Sequence, residues 1–369
     1  MSVLELIAGY RARAAAVLDP VADTYFSCGS GEEITLGEAE RAWRDWRLRP
    51  RVLRDVSVVQ VTTRLFDTPM AAPVMVAPTG YLSMAHPDGE LAVAEGAAAA
   101  GIPLVLSSRS TRPMGAVAKR VPDWWFQVYL LRDRAATARM VERAVAAGAK
   151  ALVLTVDTPF PAAKARLAGE LPVSEADTMA NFDSVPTSVE QEPGLVPADV
   201  AWLRDLGGLP VLVKGVLRAD DAVASVAAGA AGVIVSTHGG RQLDRAQATA
   251  YALPEVVAAV GETVPVLVDG GIRTGIDVLV ALALGAKAVL VGRPVVWALA
   301  AAGPAGVAAL LDAYREEFAD AMALAGAPRL ADLTRDLVVP AGGQLGRPEV
   351  PSAGGVAGRA AGRADASPG

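Results

Sequence analysis

Eight short apolar runs recur along the chain, and no other feature narrows its folding options as much: PVMVAP (73–78), PLVLSS (103–108), WFQVYL (125–130), ALVLTVD (151–157), PVLVKG (210–215), GVIVST (232–237), PVLVDG (265–270) and AVLVGR (288–293). Each is apolar almost throughout, as expected of a parallel strand covered on both faces rather than one half open to water. Alanine-rich stretches of helical length, such as ELAVAEGAAAAG and DVLVALALGA, separate most pairs. Parallel strands need crossovers of that kind, so the alternation predicts an α/β fold. A weak internal repeat supports closure: VLVKGVLRADDAVASVAAGAAGVIVS matches VLVDGGIRTGIDVLVALALGAKAVLVG with one inserted residue, each a strand, turn, helix and strand. Eight such units predict a (β/α)8 TIM barrel. The runner-up, an open doubly wound sheet, needs a reversal of strand order, and nothing in the sequence marks one.

A barrel of this type takes roughly 250 residues, and the chain has 369. The expected layout is an N-terminal helical extension over 1–50, a barrel over 51–340 and a low-complexity, disordered tail over 341–369. Residues 158–199 are too long for an ordinary strand–helix loop and are expected to form a lid over the site. Lysines and arginines number 34 against 40 acids, with no block of like charge, which argues against a nucleic-acid or membrane surface. The lone cysteine, Cys28, excludes an intramolecular disulfide and a cysteine-based metal cluster, and no metal site is expected. The start lacks a secretory pattern and the apolar stretch 295–311 is broken by GPAG, so the expectation is a cytoplasmic protein.

In a TIM barrel the chemistry collects at the carboxyl ends of the strands. That rule alone selects Thr79, Ser107, Ser108, Gln127, Tyr129, Thr155, Asp157, Lys214, Ser236, His238, Arg241, Asp269, Arg273 and Arg293. The turns DGGIRTG and VGRP after strands seven and eight combine glycines, arginines and a helix start, which suits a phosphate dianion. Tight turns alone would explain the glycines; the neighbouring arginines favour a ligand. Lys214 ends a buried strand, where an unpaired ammonium is costly unless it meets an anion or electron-rich ligand. His238, in STHGGRQLD, follows a strand and precedes two glycines that permit close backbone approach, which favours catalysis over a satisfied core histidine. The other histidine, His86, reads as structural, ahead of a helix over 89–100 with Asp88 as its N-cap.

Taken in order, TYFSCGSGEEITL, APTGYLSMAHPDGELAVAEGAAAAGIPLVLSS, WFQVYLLRDR, LTVDTP, VLVKGVL, STHGGRQLD and VLVDGGIRTGIDVLVALALGAKAVLVGRP make the chain, from about Tyr25 to about Ala301, similar to the FMN-dependent α-hydroxy acid dehydrogenase/oxidase family. The resemblance implies FMN as cofactor and oxidation of a 2-hydroxy acid to a 2-oxo acid. It places Pro78, Thr79, Ser107, Gln127 and Thr155 at the flavin ring, Lys214 at its N1–C2 carbonyl edge, and Asp269, Gly271, Arg273, Gly292 and Arg293 at the ribityl phosphate. His238 would be the base, Asp157 its stabilising partner, Arg241 the carboxylate anchor, and Tyr25 and Tyr129 donors to the substrate. It also implies a homo-oligomer, commonly a tetramer, and leaves dioxygen, a quinone or a protein as the electron acceptor.

Four departures from the family pattern stand out, the first of them local and tolerable. Thr237 replaces the usual asparagine before the histidine. Lys164 stands where a second arginine helps hold the carboxylate, keeping the charge but losing the bidentate fork. Arg109 replaces an aromatic or other bulky residue, a cation moved rather than lost. Gly80, where a small residue faces the flavin, is expected to leave room for a larger, mandelate-like substituent. The alternative reading is an FMN-dependent oxidase or isomerase on the same barrel whose substrate is not a simple 2-hydroxy acid.

Overall fold

The computed structural model describes residues 2–342. The expected disordered tail therefore lies almost wholly outside the described residues. Eight parallel strands close into one barrel in chain order: Val74–Val76, Leu104–Ser107, Trp124–Val128, Leu152–Thr155, Val211–Val216, Gly232–Val235, Val266–Asp269 and Ala288–Val291, the last pairing back onto the first. Each of the eight apolar runs supplies one of these strands, first to eighth.

Side chains alternate across a strand, and here that period of two builds both the core and the site. Met75, Val105, Trp125, Val153, Leu212, Ile234, Leu267 and Leu290 point inward and fill the barrel. Two residues further along each strand the same inward direction falls on Ala77, Ser107, Gln127, Thr155, Lys214, Ser236, Asp269 and Gly292. A dry apolar layer thus carries a polar floor, with one residue from each strand. The opposite end is stoppered by a hairpin, Thr63–Leu65 paired with Thr68–Met70, whose Leu65 and Phe66 pack on the inner layer. Trp125 Nε1 donates to Thr68 Oγ1 at 2.8 Å and fastens the stopper to the core.

The N-terminal residues form three helices, Val3–Val17, Pro20–Ser27 and Ile34–Arg44. Ser2 and Glu5 form a capping box on the first helix, and Asp19 caps the second ahead of Pro20. These helices are joined to the barrel: Val3 N donates to Glu317 at 2.9 Å, and Trp46–Leu48 pairs with Val338–Pro340. The apolar segment flagged by GPAG lies in Arg293–Leu324, which breaks at Ala302 and Gly303 (φ 57°) just before Pro304. One helix start differs from expectation. The helix after strand one is Glu90–Ala99, its N-cap is Gly89 (φ 50°) without any side-chain cap, and the Asp88 amide donates to His86 Nδ1 at 3.1 Å. The left-handed turn favours glycine at the cap and leaves Asp88 outside it.

The segment 158–199 carries one short helix, Glu175–Thr178, and is tied down at several points. Asn181 is buried, accepting from Met114 N at 2.8 Å and donating to Ser110 O at 3.0 Å; Arg112 pairs with Asp177 at 2.7 Å; Lys164 bridges to Ser30. It forms a wall of the site.

Candidate active site

The backbone around His238 explains why its motif contains two glycines. His238, Gly239 and Gly240 all have positive φ, of 54°, 65° and 73°. A Cβ on Gly240 would come within 2.8 Å of the Leu36 amide nitrogen, and one on Gly239 within 2.8 Å of Arg293 Nη1. The loop coils tightly enough to let the second N-terminal connection reach the barrel rim. His238 itself holds a conformation that L-residues rarely adopt, a strain of order 1–2 kcal/mol that its surroundings must offset.

Those surroundings are polar and specific. His238 Nδ1 lies 3.0 Å from Asp157 Oδ1, and Nε2 lies 3.3 Å from the Tyr129 hydroxyl. Burial pushes the Asp157 carboxyl up, but His238, with Lys214 and the Thr158 hydroxyl, outweighs it and holds Asp157 below the usual carboxylate range. An ionised carboxylate only accepts, so Nδ1 carries the proton and Nε2 is the basic nitrogen facing the cavity. Asp157 gets this close because Gly215 (φ 111°) lacks a Cβ, which would stand 2.5 Å from the Asp157 Cβ.

Ser236 couples this pair to the lysine. Its Oγ accepts from Lys214 Nζ at 2.8 Å and from the His238 amide at 3.0 Å. Lys214 is 4% exposed and pairs with Asp269 Oδ2 at 3.0 Å. Burial pushes it down, but Asp269 and then Asp157 outweigh that and raise it above the ordinary lysine value, so the ammonium persists. Beside it, Ser107 Oγ donates to Gln127 Oε1 at 3.1 Å and Gln127 Nε2 donates to Thr155 Oγ1 at 3.0 Å, a row across three adjacent strands.

On the substrate side stand two tyrosines and two cations. Burial raises both Tyr25 and Tyr129, so both hydroxyls stay protonated and can donate. Arg241 lies with its guanidinium carbon 4.7 Å from the Tyr25 ring centroid and donates to Tyr25 O at 2.6 Å and Cys28 O at 3.0 Å. Lys164 is next to it, and its Nζ donates to the Arg241 carbonyl at 2.6 Å. Burial, and then Arg241, push Lys164 down to about 8.

At the far end, Arg273 pairs with Glu40 at 3.0 Å, and Arg293 donates to Phe26 O, Cys28 O and Gly239 O at 3.0, 3.1 and 2.8 Å. Burial, followed by Arg241 and Arg273, pushes Arg293 down to about 9. Gly271 (φ 80°) sits so tightly under the helix Ile34–Arg44 that a Cβ would stand 2.0 Å from Ala39 O.

All the expected site residues except Ser108, Asp157 and Ser236 line one cavity of about 490 Å³; Asp157 stands directly behind His238, Ser236 joins Lys214 to the His238 amide, and Ser108 Oγ accepts from the Tyr129 amide at 3.3 Å. Gly80 lines it too, for a different reason than expected. A Cβ there would meet Arg109 Cβ at 2.9 Å and Arg109 O at 3.3 Å, so the space it leaves is filled by Arg109 rather than offered to a substrate. Arg109 in turn points its Nη2 at Val189 O, 2.6 Å away, instead of joining Arg241. The cavity also takes in Tyr81, Leu171, Val189, Gln191 and Gln242, which the sequence reading did not select. Gln242 lay in the motif already singled out; the others sit in irregular backbone with no periodic signal.

FMN fits these residues on the structure's own terms. Asp269 Oδ1 is buried without a partner and calls for a donor such as a ribityl hydroxyl. The helix starting at Arg293 has no side-chain cap at Gly292, and a phosphate dianion held there would relieve the crowding of Arg241, Arg273 and Arg293.

A family model described as FMN-dependent dehydrogenase matches residues 14–340. An L-lactate oxidase from Nostoc sp. is 43% identical over 338 residues, covering 86% of this chain and 93% of the relative. Glycolate oxidase 1 from Zea mays is 44% identical over 347 residues, covering 89% and 94%. Among solved structures, a mandelate oxidase with benzoyl-formic acid superposes with a TM-score of 0.84 at 43% identity, covering 89% of this chain and 96% of the other. With the flavin-fitting floor, the phosphate end and the Asp157–His238 pair all present on the barrel these proteins share, the chain belongs to the FMN-dependent dehydrogenase family.

Proposed function

We propose that the protein oxidises a 2-hydroxy acid to the corresponding 2-oxo acid, the acid giving up two electrons and two protons. One observation carries this reading: His238 presents its basic Nε2 to the cavity beside Tyr129, with Asp157 behind it and Arg241 three residues away. Arg241 binds the substrate carboxylate, and the protonated Tyr25 and Tyr129 donate to the carboxylate or to the oxygen that becomes a carbonyl. His238 Nε2 takes a proton from the substrate, and Asp157 stabilises the imidazolium that results. When bound, FMN supplies the two-electron acceptor. Lys214 keeps a fixed cation in the floor of the site, where negative charge develops as the electrons arrive.

The relatives that are named oxidases support dioxygen as the final acceptor. The mandelate oxidase likeness supports a substituent larger than a methyl group, lying against Tyr81, Leu171 and Val189. Anaerobic mixing of the yellow protein with a panel of 2-hydroxy acids tests the reaction. Bleaching of the flavin absorbance is expected, followed on admission of air by recovery of colour with formation of hydrogen peroxide. A flavin that no 2-hydroxy acid bleaches would overturn the reading.

A further inference from the structure

Six cations line the cavity, Arg109, Lys164, Lys214, Arg241, Arg273 and Arg293, against a single lining carboxylate, Asp269. Five of them have an assignment. Lys214 pairs with Asp269; Arg273, already on Glu40, and Arg293 form the phosphate end; Arg241 takes the substrate carboxylate with Lys164 fastened to its backbone. Arg109 is left over. Among the described residues no carboxylate lies within ion-pair distance of it, and its one side-chain partner is the neutral carbonyl of Val189.

Its position is nevertheless built. The Arg109 amide donates to Ser107 Oγ at 3.1 Å, its carbonyl accepts from the Tyr81 amide at 3.0 Å, and Gly80 gives up its side chain so that the Arg109 stem can pass. Its charge reaches the substrate-side tyrosines: burial raises Tyr25 and Tyr129, and Arg109 is among the groups opposing that rise in both. A guanidinium held at the wall of an otherwise cationic cavity, with an unused donor face, is a receptor for a planar anion.

We infer that Arg109, set in place by Gly80 and Ser107, forms a second anion subsite that selects 2-hydroxy acids whose side chain ends in a carboxylate. The inference rests on the reaction proposed above and specifies its substrate class: one carboxylate, beside the reacting carbon, goes to Arg241 and the other to Arg109. In place of the empty room expected at Gly80, the structure supplies a charge.

The test compares matched acids under anaerobic conditions with the FMN-loaded protein: 4-carboxymandelate against mandelate, and 2-hydroxyglutarate against its 5-amide. Because the guanidinium is open to solvent on one side, the expected preference for the diacid is moderate, about 10-fold in the efficiency of flavin reduction for at least one pair. In Arg109→Gln that ratio falls toward unity, and in Arg109→Lys part of it returns. A binding readout independent of turnover uses 4-carboxyphenylacetate, which lacks the hydroxyl. Its dissociation constant, followed through the flavin spectrum, should rise about 10-fold in Arg109→Gln relative to that of phenylacetate. If mandelate bleaches the flavin but neither wild-type pair shows a diacid preference, the subsite is wrong and the reaction stands. A diacid preference that survives in Arg109→Gln also overturns the subsite. If no acid bleaches the flavin, the reaction and the subsite fall together.

Discussion

The two ends of the cavity are built by different means. At the phosphate end, tightly packed backbone confines even the long Arg293, which sits on three carbonyls: Gly271 is pressed against Ala39, the helix at Arg293 starts uncapped, and Trp43 Nε1 holds Gly270 O at 2.8 Å. At the substrate mouth position is set by long side chains reaching for carbonyls, Lys164 to Arg241 and Arg109 to Val189. Backbone-built sites leave few permitted substitutions, whereas side-chain-built sites can change partner at modest cost. The invariant chemistry of a cofactor suits the first, and the variable identity of a substrate suits the second.

The largest expected effect falls on the base between the two ends. His238→Ala should keep FMN, since none of the residues assigned to the cofactor depends on the imidazole, yet slow flavin reduction by ~10²–10⁴-fold or more. Stopped-flow absorbance would show it. Bleaching at the wild-type rate would place the base elsewhere.

Gly271→Ala sharpens the contrast at the phosphate end. A methyl group would lie 2.0 Å from a backbone oxygen at a residue with φ of 80°. Overpacking costs about 1–3 kcal/mol and the left-handed conformation roughly 1–2 more, so melting temperature and FMN content should fall together. Unchanged FMN content and melting temperature would show that this end is softer than its geometry implies.

The smallest effect belongs to the mouth. Lys164, pushed down to about 8 by burial and then by Arg241, is charged below that pH and neutral above it. Its attraction for a substrate carboxylate is therefore present at neutral pH and lost as pH rises through about 8. KM for a 2-hydroxy acid should climb a few-fold over that interval, in line with the worth of a partly screened ion pair. In Lys164→Arg, whose charge persists, the climb should vanish. An identical KM profile in both proteins would confine Lys164 to holding the Arg241 loop.

Much of this is legible in the sequence. The eight strands declared themselves because buried parallel strands are apolar throughout, and the polar floor followed because direction along a strand repeats every second residue. What escaped was set by contacts distant in sequence. That Gly80 makes way for Arg109, twenty-nine residues on, is invisible to any local rule, as is the turn of Lys164 onto a carbonyl seventy-seven residues away. The helix after strand one begins at Glu90, one residue later than its local signals predict, because Gly89 at positive φ takes the cap expected of Asp88. Tyr81, Leu171, Val189 and Gln191 join the cavity from backbone without periodicity, where sequence carries no directional signal.

The hairpin that stoppers the barrel has a kinetic consequence. With Leu65 and Phe66 packed on the inner layer and Trp125 fastened to Thr68, the barrel is a cup with a single rim. Hydroxy acid, oxo acid and oxidant would then approach by the same doorway, above the carboxyl ends of the strands. Traffic through that doorway favours a shuttling, ping-pong rhythm in which a lingering product delays reoxidation, and an excess of substrate that occupies the reduced enzyme slows the cycle it feeds.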